Sequence, residues 1–168
     1  MRTRQMAVCA LFAALTAVCA QVVLPISPVP VNLALLPILV CGALLPLGQA
    51  ATTALVYIAM GAVGLPVFAG MTGGPGVLLG PTGGYLMGYV LCSIAAAWLI
   101  QRGVKRFPAM AAGVAVCYLA GTAWLMLSTG MGVSQALAAG VLPFLPGDIL
   151  KIFAAEYLSR RLYLVVRP

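Results

Sequence analysis

The 168 residues of this chain are 64% hydrophobic and only 7% charged, whereas about a quarter of the residues in a soluble domain are charged. No formally charged side chain occurs in segments 5–101 and 107–147. Such long apolar tracts exclude a soluble globular domain and a disordered chain. The formal net charge is +7, but the basic residues are too few and too clustered to form a nucleic-acid groove. The composition predicts an integral membrane protein.

We expect a single all-α transmembrane domain over residues 1–168, because the length leaves no room for a soluble catalytic domain. A spanning helix needs about 20 apolar residues, so six spans would use about 120 of the 168 residues. The first apolar run continues to Leu24, so we expect a span there and not a cleaved signal peptide. Proline and glycine mark the ends of the runs. The predicted spans are 4–24, 31–45, 49–63, 85–101, 109–127 and 146–165.

The basic residues predict the orientation. With six spans, one side of the membrane receives both termini and the turns after the second and fourth spans. Eight of the nine basic residues then lie on that side: Arg2, Arg4, Arg102, Lys105, Arg106, Arg160, Arg161 and Arg167. Excess Lys and Arg mark the cytoplasmic side. We therefore expect a multi-pass protein of the cell membrane with both termini in the cytoplasm.

The opposite, outer side has three predicted loops, 25–30, 64–84 and 128–145, which are rich in proline and glycine. We expect them to fold back against the helices, and Pro37 to kink the second span. Segment 64–84 lacks the lysine of a phosphate-binding loop. It is predicted to be a re-entrant cap over a cavity, lined by backbone amides and by Thr72 or Thr82. Gln21 and Asn32 either line the same cavity or hydrogen-bond between helices.

Asp148 and Lys151 are predicted to lie at the outer end of the last span. Three residues apart, they project from one helix face, although each charge inside a membrane costs about 3 kcal/mol on insertion scales. Either they form a structural ion pair, or they line a ligand site in which Lys151 meets an anionic group and Asp148 accepts N–H donors. Glu156 and Arg160 are expected to form a structural pair near the cytoplasmic surface.

Enzymatic chemistry is not expected. The chain has no histidine, and its five cysteines are scattered, whereas metal sites need clustered ligands. We predict no catalytic residue, metal or cofactor. Two stripes of small residues on the first span, Ala10 with Ala14 and Ala13 with Ala17, would let a helix pack closely. That helix belongs either to this chain or to a separate membrane protein.

Four segments resemble the BioY family, the biotin-binding substrate components (S components) of energy-coupling factor (ECF) transporters. They are PISPVP at 25–30, GLPVFAG at 64–70, GPTGGY at 80–85 and FLPGD-x-x-K at 144–151. They occur along the whole chain in the order of the family. The A-x-x-x-A pattern with which ECF substrate components dock the coupling protein corresponds to Ala10 and Ala14.

The resemblance implies a six-helix subunit that takes biotin from outside, with a transmembrane coupling protein (T component) and two cytoplasmic ATPases (A components) as partners. It implies that Asp148 accepts hydrogen bonds from the ureido ring and that Lys151 neutralises the carboxylate. An exchange of these roles between the two residues stays open. No arginine lies in the predicted outer loops, so no second cation is available to the carboxylate. The resemblance also implies that Asn32, Gly70, Thr82 and Tyr85 contribute to biotin binding. The alternative is a stand-alone carrier or channel for a small organic anion.

Overall fold

The computed structural model describes residues 3–24 and 31–166. Its helices are α1 (Thr3–Ala20), α2 (Leu35–Leu44), α3 (Leu47–Ala62), α4 (Pro75–Leu79), α5 (Gly83–Gln101), α6 (Arg106–Thr129), α7 (Val133–Gly140) and α8 (Leu145–Val166). Two short strands, β1 (Val23–Leu24) and β2 (Val31–Asn32), pair antiparallel between α1 and α2. The predicted proline-rich loop 25–30 lies outside the described residues, as do Arg2 and Arg167.

The described part of the chain is almost entirely helical. Among the described residues, three helices, α1, α5 and α6, are long and apolar enough to cross a membrane, and α7 and α8, which meet at a 49° bend, give a fourth span if the bent pair crosses as one. α2 and α3 are shorter apolar helices of 10 and 16 residues. α2 is shorter than predicted because Val31 and Asn32 pair in a strand. Pro37 therefore falls in the first turn of α2, where a proline is tolerated, instead of kinking a longer helix.

The segment predicted as the third outer loop contains a helix, α7. α6 ends where Gly130 adopts a left-handed φ of +74° and donates its N–H to the Met126 carbonyl. α7 then runs for eight residues between Gly132 and the break before α8. The sequence analysis missed α7 because a helix this short, bounded by glycines, has the composition of a loop. α4 similarly forms one short turn inside the glycine-rich segment.

The centre of the bundle is the antiparallel pair α5 and α6, where glycines allow close packing. A Cβ atom at Gly88 of α5 would lie 2.9 Å from Cys117 Sγ, and one at Gly113 of α6 would lie 2.8 Å from the Cys92 carbonyl oxygen. Both cysteines are buried free thiols. Small residues at both helix surfaces therefore bring the two backbones together, as is usual between membrane helices.

The basic residues at the α5–α6 turn and near the end of α8 lie at one end of the bundle. The Arg102 guanidinium stacks over Trp98 at 4.2 Å, and that of Arg106 lies 5.2 Å from the centre of the Tyr163 ring. Asp148 precedes Tyr163 by 15 residues along α8, which is about 22 Å along a helix axis. The Asp148 carboxylate therefore lies toward the opposite end of the bundle.

Candidate functional site: a buried ion pair facing a cavity

A cavity of about 360 Å³ opens in the half of the bundle that contains Asp148. Ligand pockets for small organic molecules begin at about this size. The lining residues are Asn32, Leu35, Tyr57, Phe68, Ala69, Thr72, Gly76, Val77, Gly80, Pro81, Thr82, Tyr85, Leu86, Tyr89, Cys117, Tyr118, Phe144, Asp148 and Lys151. Most of these side chains are aromatic or aliphatic. Among the described residues, Asp148 and Lys151 are the only charged ones in the lining.

Asp148 and Lys151 form an ion pair on one face of α8. The Lys151 Nζ atom lies 2.6 Å from Asp148 Oδ1, and the two residues are only 6% and 3% exposed. The charges therefore form the ion pair of the first alternative and also line the cavity, and the ligand site of the second alternative stays a prediction. An ammonium has three donors and a carboxylate about four acceptor positions, so the pair retains hydrogen-bonding capacity for a ligand.

Tyr118 of α6 is a member of this site that sequence reasoning missed. Its hydroxyl donates a hydrogen bond of 2.6 Å to Asp148 Oδ2, and its side chain lines the cavity. A tyrosine hydroxyl in an apolar span needs a partner, which is the one signal the sequence offers. The partner itself is 30 residues away and is brought there by the packing of α6 against α8.

Tyr85, predicted as a ligand residue, forms an aromatic wall of the cavity together with Phe144. Their rings stack with centroids 6.2 Å apart, and the Tyr85 hydroxyl donates to the Gly140 carbonyl at 2.9 Å. Gly121 and Gly140 leave the space that this ring and hydroxyl occupy, since a Cβ at either position would overlap Tyr85. The tyrosine is therefore held by α6 and α7 as well as by its own helix.

Asn32 is positioned by backbone and side-chain donors. Its Oδ1 atom accepts hydrogen bonds from the Ala34 amide at 2.9 Å and from the Tyr89 hydroxyl at 3.5 Å. Asn32 and Tyr89 both line the cavity. Asn32 thus has both features that the sequence analysis gave as alternatives, a place in the cavity lining and a hydrogen bond to a helix, and its contact with a ligand stays a prediction.

The glycine-rich segment contributes lining residues to the cavity, some of them from a tight turn at residues 68–72. The Phe68 amide donates to the Thr72 carbonyl at 3.0 Å, and Gly70 and Met71 have φ angles of +71° and +58°. The Phe68 ring is buried and packs edge-on against Tyr57 with centroids 5.6 Å apart. Ala69 and Thr72 line the cavity, whereas Gly70, a predicted ligand residue, is outside the lining.

Gln21 ties this turn to the end of α1. Its Nε2 atom donates to the Phe68 carbonyl at 3.2 Å, and its Oε1 atom accepts the Met71 amide at 2.8 Å. Gln21 is not a lining residue. Of the two roles predicted for Gln21, the structure therefore favours a hydrogen-bonding one, although its partner is a loop and not another helix. On the other side of the segment, Trp124 Nε1 donates to the Gly80 carbonyl at 2.9 Å.

The two alanine stripes of α1 point in different directions. Ala13 is 1% exposed and Ala17 packs against the core, so this stripe serves packing on α2 and α3 within the chain. Ala10 and Ala14 are exposed. The A-x-x-x-A pattern of the resemblance is therefore the outward-facing one.

The sequence model of the BioY family matches residues 1–167 of this chain. The chain belongs to the BioY family. It is similar to the "Probable biotin transporter BioY" of Pyrococcus horikoshii, with 37% identity over 96% of this chain and 98% of that protein. The "Biotin transporter BioY" of Thermotoga maritima is 32% identical over 95% of each chain.

One solved structure has the same fold. The crystal structure of the S-component for biotin from an ECF-type ABC transporter superposes with a TM-score of 0.86, covering 96% of this chain and 91% of that chain at 22% identity. At this identity the match concerns the fold. A BioY family chain with the S-component fold thus has a ligand-sized cavity above a buried ion pair.

Proposed function

We propose that this protein binds biotin from outside the cell and delivers it across the cell membrane as the substrate-binding component of an ECF-type transporter. It is a transporter subunit and not an enzyme. Family membership and the similarity to biotin transporters support the substrate. The observation that carries the proposal is the Asp148–Lys151 pair, which is buried and still faces a cavity of ligand size.

The separation of the paired atoms suggests which end of biotin they bind. Biotin has a ureido ring at one end and a carboxylate at the other, with a second ring and a methylene chain between them. Lys151 Nζ and Asp148 Oδ1 are only 2.6 Å apart, so the two residues contact the same end of such a ligand. A carboxylate there would face the like charge of Asp148.

A ureido ring suits the pair better, since its N–H groups donate to Asp148 and its carbonyl accepts from Lys151. Hydrogen bonds to ionised partners are about twice as strong as neutral ones. We therefore assign both charged residues to the ureido end, which changes the role of Lys151 from the one implied by the resemblance. The carboxylate then lies away from α8, and Asn32, Thr82, Tyr85 and the cap residues surround the remainder of the ligand.

The topology we propose has six spans, in which the short helices α2 and α3 cross together with α1, α5, α6 and α8. The end of the bundle with Arg102, Arg106 and Arg160 is then cytoplasmic, because cytoplasmic loops carry excess Lys and Arg. Both termini lie on that side. The cap over the cavity faces outward, which is the side from which a vitamin is captured.

The partners we propose are a transmembrane coupling protein and two cytoplasmic ATPases, which supply the ATP hydrolysis for release. Ala10 and Ala14 of α1 are exposed, and small residues let a partner helix approach closely. An Ala14→Trp variant is expected to bind biotin normally and to lose co-purification with the coupling protein. The control is Ala115→Trp, at an exposed alanine of α6 away from this face of α1, which should leave assembly intact. Intact assembly in Ala14→Trp would place the docking surface elsewhere.

The decisive experiment is isothermal titration of the purified protein in detergent with biotin and with desthiobiotin. We expect stoichiometric, tight binding of biotin. Liposomes that contain this chain alone should bind biotin without accumulating it, and accumulation should require the coupling protein and ATPases. Absence of binding would overturn the proposal, and flux through the chain alone would favour the stand-alone carrier.

A further inference from the structure

The carboxylate of Asp148 is held by donors from two different helices. Lys151 of α8 lies 2.6 Å from Oδ1, and the Tyr118 hydroxyl of α6 donates to Oδ2, also at 2.6 Å. Each carboxylate oxygen thus has one protein donor before a ligand arrives. Two donors on different oxygens fix the plane of the carboxylate and leave about two acceptor positions for a ligand.

The surroundings make the Tyr118 hydroxyl hard to replace. Asp148 is 3% exposed, and the neighbouring lining residues of α6 and α5 are Cys117 and Tyr89. The Cys117 thiol is directed to the Tyr85 carbonyl at 3.7 Å, and the Tyr89 hydroxyl to Asn32. Among the described residues, Tyr118 and Lys151 are therefore the side chains that donate to Asp148, and loss of the phenol would leave Oδ2 without a protein side-chain donor.

We infer that Tyr118 is a positioning residue for the binding reaction and that it sets the preference of the site for a neutral ligand head over a cationic one. With an ammonium and a phenol already bound, the negative charge of Asp148 is largely satisfied. Neutral N–H groups suffice for the remaining acceptor positions, whereas a cationic head would be repelled by Lys151 without a free anion to offset it. This inference rests on the proposed function, since the head in question is the ureido ring.

The test compares biotin with 2-iminobiotin, in which a guanidinium replaces the urea and is cationic at neutral pH. The wild-type protein should bind biotin at least about 100-fold more tightly, because the cation faces Lys151. Tyr118→Phe should weaken biotin binding by about tenfold, the usual effect of losing a hydrogen bond to a charged group. It should weaken 2-iminobiotin binding less, so that the affinity ratio falls by about threefold or more.

The matched control is Tyr157→Phe, which removes the hydroxyl of a 59% exposed tyrosine on α8 and should leave both affinities unchanged. Equal losses for the two ligands in Tyr118→Phe would mean a purely structural role and would overturn the inference, as would no loss at all. A wild-type ratio near one would overturn it without any variant. Failure of the wild-type protein to bind biotin would instead overturn the proposed function.

Discussion

Helix α8 has two ion pairs of the same length in opposite environments. Lys151 and Asp148 are 2.6 Å apart with side chains 7% and 5% exposed, and Arg160 and Glu156 are also 2.6 Å apart with side chains 68% and 20% exposed. Exposed pairs contribute between zero and about 1 kcal/mol. A buried pair costs desolvation energy that its attraction only partly offsets. The N–O distance therefore does not separate the two pairs, and burial beside a cavity is what makes Asp148 and Lys151 the candidate ligand site.

The largest expected effect is that of breaking the buried pair. Lys151→Met removes the ammonium and leaves Asp148 buried with only Tyr118 as a side-chain donor among the described residues. Biotin affinity should fall by at least about 100-fold, which corresponds to about 3 kcal/mol. Isothermal titration in detergent measures this. An unchanged affinity would mean that the pair is structural and that the ligand binds elsewhere.

A second variant separates stability from binding at the same site. Asp148→Asn combined with Lys151→Met removes both charges, and replacing a buried pair by neutral side chains is often neutral or stabilising. Lys151→Met alone leaves an unpaired buried charge and should lower the midpoint of thermal unfolding in detergent. The double variant should have a midpoint equal to the wild-type value or above. Biotin binding should stay lost, because neither the anion nor the cation is present. Recovery of binding would show that the charges are dispensable for recognition.

The next effect concerns the turn at residues 68–72, which contributes Phe68, Ala69 and Thr72 to the lining of the same cavity as the buried pair. Gln21→Ala removes the two hydrogen bonds to Phe68 and Met71, each worth about 1 kcal/mol. Biotin should dissociate about tenfold faster, since the turn over the cavity is held less firmly. Stopped-flow displacement by excess unlabelled ligand measures the rate.

The control for this turn is Gln135→Ala, which removes an exposed glutamine of α7 whose Oε1 atom accepts a hydrogen bond from the Gly132 amide. It should leave the dissociation rate unchanged. An equal increase in the dissociation rate in both variants would mean that the hydrogen bonds of Gln21 to the turn do not specifically slow ligand release. A Gln21→Ala rate equal to the wild-type rate would show that the turn is held by the Phe68 packing alone.

The contrast between the two pairs also marks what the sequence could predict. The i, i+3 spacing and the place of Asp148 and Lys151 at the start of the last span are local features, and both were predicted. Composition likewise predicted the membrane class, and the four motifs predicted the family. Tyr118 was missed because its bond to Asp148 depends on how α6 packs against α8, which no local pattern encodes.

Two further differences have the same origin. The sequence predicted α2 from residue 31, but the pairing of Val31 and Asn32 with the chain after α1 is a non-local contact that shortens the helix. Gly70 was assigned to the ligand from its motif, yet its φ of +71° serves the turn that places Ala69 and Thr72 on the cavity. A glycine motif indicates that the backbone needs an unusual conformation, and it does not identify which of the adjacent residues contacts the ligand.

The smallest expected effect is that of breaking the exposed pair. Glu156→Gln removes the carboxylate that Arg160 contacts, and i, i+4 pairs of this kind contribute about 0.3–0.5 kcal/mol. Thermal unfolding should shift by no more than a few degrees, and the shift should shrink at high salt because exposed charges are screened. Biotin affinity should match that of the wild-type protein. A loss comparable to that in Lys151→Met would mean that charge anywhere on α8 supports binding, and the distinction drawn from burial would no longer hold.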